Sequence, residues 1–176
     1  MLRPALLRST LSSLLFGAAL PAIALAAAPG PAVTVSGLVE HPLTLRAEAL
    51  RQWPPARIVS LQLPGNDGVG PASPGVVRGV RLRDLLDQAR IVQRDHTTDK
   101  KLAIIAGATD GYKVVFSWNE VFNSAAGDSM LVLFERDGKP LAANEGPLAL
   151  IAGKDIKTAA RHVRWLQSIE VRQVVD

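Results

Sequence analysis

Arg161, His162 and Arg164 place three potential cations within four residues, and Lys154 and Lys157 lie just upstream. Guanidinium, imidazolium and ammonium groups bunched in this way suit charge-assisted hydrogen bonds to a phosphate or carboxylate. The competing reading is a solvated strand edge, where isolated arginines are common and contribute little. Two turn-like segments supply the other candidates. Asn66-Asp67-Gly68 offers amide and carboxylate groups to a pocket mouth, or simply makes a turn. Asp110-Gly111-Tyr112 sets a phenol beside a tight turn, its hydroxyl toward a ligand or its ring half-buried.

Other chemistry is excluded by residue type. The 176-residue chain has no cysteine, which removes disulfides, thiolate metal sites, iron–sulfur clusters and a cysteine nucleophile. His41, His96 and His162 are far apart and lack metal-ligand spacing. No nucleophile–base pair or carboxylate dyad stands out. The GNDGVG stretch from Gly65 to Gly70 has neither phosphate-loop nor dinucleotide spacing. No catalytic residue and no metal ligand is assigned.

The formal net charge of +4 includes Arg3 and Arg8. What remains without them is too mild for nucleic-acid binding, which needs a dense basic patch. Residues 1–26 hold those two arginines and no acid, then an apolar run ending in Ala24-Leu25-Ala26. This is the pattern of a cleavable secretory signal peptide. Gly17 and Pro21 interrupt the run, and it is shorter than the ~20 residues of a membrane span. The arginines are not adjacent, so the signal fits ordinary export of an unfolded chain rather than export of a folded holoprotein. The expectation is a periplasmic protein with no membrane span in its mature part.

The remaining sequence must position the candidates. Residues 27–32 read as a flexible leader, and one domain is expected over 33–176. Strands are predicted over Val33–Val39, Arg57–Leu63, Leu102–Ala106, Tyr112–Ser117, Met130–Phe134 and Val163–Arg172. The final strand is expected to alternate, with Val163, Trp165, Gln167, Ile169 and Val171 on one face and Arg164 opposite them. Leu82, Leu85, Leu86 and Ala89 mark an amphipathic helix, whose outward Asp84 and Asp87 read as solubilising. RAEALRQW, ending before Pro54, is a second helix, and Ser117 with Glu120 has capping-box spacing for a third. Asp137-Gly138 is the strongest hairpin signal. Trp53, Trp118 and Trp165 are expected in or half in the core. The class is α+β with mixed sheets.

In order along the chain, VSGLVEHPLTL, SLQLPGND, VVRGVRLRDLL, DGY, ERDGKPLAANEGPLAL and RHVRWLQSIEV resemble the molybdopterin-binding domain of the sulfite oxidase family. The likeness covers nearly all of residues 33–172. It implies layered mixed β-sheets with peripheral helices, and it places Arg161 and Arg164 at the family's two basic positions beside the pterin's anionic side. With Asn66 and Tyr112 they form the candidate pterin-cleft or anion site.

The departures from the family pattern bear on function. Where the family's molybdenum-ligating cysteine belongs, the chain has Leu63, and where the family has an arginine it has Ala149. Leucine offers no lone pair to a metal. By resemblance the family loads its cofactor in the cytoplasm, which disagrees with unfolded export. The chain reads as a small, single-domain, degenerate member with no cofactor expected and molybdopterin as the one cofactor left open. The function expected is a non-catalytic module that binds a small anionic ligand or a periplasmic protein partner. The alternative is a molybdopterin-dependent oxidoreductase whose metal is held by the pterin alone.

Overall fold

The structure is a computed structural model that describes residues 31–63, 75–92 and 97–175. Residues 1–30, which hold the expected signal peptide and most of the expected leader, Asn66 with its neighbours, and His96 lie outside the described residues.

Two five-stranded sheets organise the described residues. The first runs β2 (Leu43–Leu45), β1 (Val33–Gly37), β10 (Leu166–Gln173), β5 (Leu102–Ala108), β6 (Lys113–Ser117), with β1 parallel to β10 and the other pairs antiparallel. The apolar run LAIIAGA of β5 suits an interior strand, while β6 alternates exposed and buried as an edge strand should. The second sheet runs β3 (Ile58–Leu63), β4 (Gly75–Arg81), β7 (Met130–Arg136), and β7 then pairs with both β8 (Lys139–Pro140) and β9 (Ala149–Ala152). Asp137 and Gly138 both have positive φ, 50° and 74°, and turn β7 tightly into β8.

Strand alternation divides the second sheet between two apolar clusters. Met130, Val132 and Phe134 of β7, with Leu150 and Ala152 of β9, join the large core. That core also takes residues from every strand of the first sheet and from helices α1 (Ala47–Arg51) and α2 (Leu82–Ala89). Leu131, Leu133, Ala149 and Ile151, one residue out of phase, face a smaller cluster with Leu63, Val77 and Leu141. On α2 the four apolar positions are all buried, as their spacing predicts. Helix α3 (Trp118–Phe122) starts on the expected capping box, with Ser117 and Glu120 bonding each other's backbone N–H.

Two sequence expectations need correction. Residues 75–81 form a full strand, β4, which is not among the strands that the sequence predicts. Gly79 in mid-strand obscured it, and the register does shift there against β7. The final strand begins at Leu166 rather than Val163, and its phase is broken: Val163, Leu166 and Ile169 are buried while Arg164, Trp165 and Gln167 are exposed. A bulge between Leu166 and Ser168 and a left-handed Trp165 (φ 50°) account for the break. Trp165 therefore stands 40% exposed rather than in the core.

Candidate functional site

A single-turn helix at Thr158–Arg161, between β9 and β10, carries the first group of candidates. The Arg161 guanidinium lies over the Phe116 ring at 4.7 Å. Its Nε and Nη2 donate to the two Asp155 carboxylate oxygens at 2.6 Å each, and Nη1 donates to Glu120 Oε1 at 2.9 Å. These partners, Asp155 foremost, raise the Arg161 pKa further, against the opposing effect of burial. Burial pushes the Glu120 carboxyl up, but the Ser117 backbone N–H and Arg161 outweigh it and hold it below its ordinary value. Arg161 is thus tied through Glu120 to the first turn of α3.

Tyr112 belongs to the same neighbourhood. Its hydroxyl donates to the Ala160 carbonyl at 2.7 Å, and its ring is 44% exposed. Asp110 accepts the Tyr112 backbone N–H at 2.9 Å and fixes the β5–β6 turn. Thr109 of that turn donates its N–H to the Trp165 carbonyl at 3.1 Å, so the turn spans from Ala160 to Trp165. Beside Arg161 lies a shallow, open depression of about 610 Å³. Lys154, Lys157 and the fully exposed Ile156 line it together with Asp155 and Arg161. Arg164 is exposed, and its side chain makes no hydrogen bond or ion pair among the described residues.

The three basic residues within four positions therefore have three different surroundings. Arg161 is partly buried and engaged by two carboxylates, Arg164 faces solvent, and His162 is turned inward. His162 Nε2 sits 3.0 Å from Glu145 Oε1, with both side chains almost wholly buried. Arg136 grips the same carboxylate from its Nε and Nη2, at 3.2 and 2.9 Å. Burial opposes ionisation of Glu145, but His162 and Arg136 outweigh it and hold its pKa below the ordinary 4.5. The Glu145 carbonyl also accepts the Trp165 N–H at 2.8 Å. Next to it, Gly146 adopts φ 87° and leaves room for Trp165, whose Cα would lie 2.9 Å from a Cβ at that position.

Sequence reasoning passed over Glu145 and Arg136. The available signal was a lone acid inside the apolar stretch LAANEGPLALIA, since a carboxylate there needs a buried cation. Which cation it meets depends on long-range pairing that no spacing rule reveals.

The second site region is the smaller apolar cluster. Leu63 is 1% exposed and Ala149 0%, and they pack in one group with Val77, Leu131, Leu133, Leu141 and Ile151. The two positions at which the sequence departs from the sulfite oxidase pattern thus share a single hydrocarbon environment. A molybdenum held by the polypeptide needs a soft lone-pair donor; none of these side chains has one. Among the described residues no group of His, Cys, Asp and Glu has the arrangement of a metal site. The residues present do not fit protein-ligated molybdenum.

Among known families, the model for the oxidoreductase molybdopterin binding domain matches residues 27–175. No curated protein matches the chain.

Proposed function

The chain belongs to the oxidoreductase molybdopterin binding domain family, and from that premise we propose that it is an exported binding or accessory module without molybdenum redox catalysis. The observation that carries this reading is the burial of Leu63 and Ala149 in one apolar cluster. A ligand cavity cannot be restored there by a small rotamer change, because cores are close-packed and each strand neighbour fills its own space. What the fold keeps is its second polar region, around Tyr112 and the 154–165 segment.

There the ligand is a small anion or an acidic segment of a periplasmic partner. Arg164 and Lys157 present free charge, whereas Arg161 acts as a positioning residue. Its ties to Asp155, Glu120 and Phe116 hold the turn on which Ala160 and Tyr112 meet. Asn66 remains a candidate contact outside the described residues.

Inorganic pyrophosphate, citrate and the neutral control glycerol are suitable probes, read by thermal stabilisation. A ligand at 100-fold above its Kd adds about 2.7 kcal/mol. Binding of an anionic probe that weakens at least tenfold in Arg164→Ala supports the reading. Unchanged binding in an Arg161→Ala/Arg164→Ala double variant, for every probe and for partners retained from periplasmic extract, overturns it.

The family match itself favours a second reading, in which molybdopterin binds and holds its metal alone. Stoichiometric molybdenum in the native protein separates the two.

A further inference from the structure

On the far side of α3 lies a second, unrelated cleft of about 420 Å³, between α2 and α3. Its volume falls in the range of small-molecule sites, roughly 300–1,000 Å³. Leu86 of α2, fully buried, and Ile91, half-buried, supply the apolar lining. Trp118 and Phe122 form an aromatic wall, one helical turn apart and stacked with centroids 4.9 Å apart and planes 20° from parallel. Glu120, between them on the helix, points the other way to Arg161.

The charges at the mouth are unequal. Glu40 and Arg90 face each other at 3.7 Å, both more than half exposed, so each is partly neutralised by the other. Asp87 is left over: among the described residues its carboxylate makes no hydrogen bond or ion pair. Burial foremost, and then neighbouring Asp84, push its pKa up, while Arg83 and Arg57 act against them from a distance. An unpaired carboxylate on the rim of a cleft walled by an indole favours a cation. A positive group there gains an ion pair with Asp87 and the quadrupole of Trp118 together. An anion meets two carboxylates against one arginine that Glu40 already engages.

We propose that this cleft binds a small organic ammonium ion with an apolar or aromatic body, its charge on Asp87 and its body against Trp118 and Leu86. The site is independent of the anion-binding region, because α3 separates the two and no residue lines both.

The test is titration of the full chain with benzylammonium, benzyl alcohol and benzoate, probes alike in shape and unlike in charge. The readouts are the Trp118 indole N–H resonance, assigned with Trp118→Phe, and calorimetry. The expected result is a saturable Trp118 shift with benzylammonium, and binding at least tenfold weaker for benzyl alcohol and benzoate. Asp87→Asn, a near-isosteric change on the exposed face of α2, is expected to weaken benzylammonium at least tenfold while leaving the melt unchanged. No saturable shift at Trp118 overturns the proposal, as does equal affinity for benzoate or benzyl alcohol. The wild-type comparison of the three probes stands even without a variant.

Discussion

The cluster around Leu63 and the segment around Arg161 handle polarity in opposite ways. The first contains only hydrocarbon and is closed: Leu63, Ala149 and their neighbours are within a few per cent of full burial, apart from Leu141 at 9%. The second is a set of polar and charged groups, some buried, in which Asp155 and Glu120 hold Arg161 while Arg136 and His162 hold Glu145. β9 contributes Ala149 and Ile151 to the first and leads in sequence toward the segment that carries the second. One strand can therefore serve a closed hydrocarbon cluster and also lead into a charged one. Packing makes the first region self-sufficient; the second needs every partner present, because an unpaired buried charge is costly.

That contrast is sharpest at Glu145. Truncating one member of a buried ion cluster leaves the others uncompensated, so Glu145→Ala is expected to cost about 3–5 kcal/mol by denaturant unfolding. A loss below about 1 kcal/mol would mean that the charged web contributes no more than a surface pair. In the apolar cluster, Leu63→Ala is expected to cost about 2–5 kcal/mol, through lost burial and the cavity left behind. A near-neutral result there would mean the cluster is loosely packed, which would reopen it as a place for a ligand.

Arg161→Ala comes next. Hydrogen bonds to charged groups are worth about 1.5–3 kcal/mol, and this residue is partly solvated, so the expected loss lies toward the lower end. It should be accompanied by changed amide shifts at Ala160 and Tyr112.

The pH response is smaller and has a definite sign. Glu145 has a folded-state pKa below its ordinary 4.5, so its contribution is fully present above 4.5. It is lost as the pH falls from there through the folded value. Unfolding midpoints of the wild type should drop across that acid window more steeply than those of Glu145→Gln. Arg164→Ala, last, is expected to change stability by less than about 0.5 kcal/mol, its effect appearing only in anion binding.

Much of the fold was legible because it rests on local patterning. The α2 stripe, the Ser117–Glu120 capping box and the Asp137-Gly138 turn each follow from chemistry within a few residues, and the structure has all three. β4 was missed because Gly79 disguises a strand that only pairing with β3 and β7 makes evident. The site was less legible for the same reason. Arg161, His162 and Arg164 look alike in a row, yet a left-handed Trp165 and the turn at Thr158–Arg161 send them to different surroundings. Leu63 and Ala149, 86 positions apart, meet only because β9 and β3 lie on the same sheet.

The most direct measurement is the molybdenum and pterin content per chain of the protein isolated from its own compartment, by elemental analysis together with pterin fluorescence after oxidation. If Leu63, sealed in hydrocarbon, leaves the metal no protein ligand, the chain should carry molybdenum far below one atom per molecule and show no redox turnover. One molybdenum per chain, reduced and reoxidised by a substrate, would contradict the account.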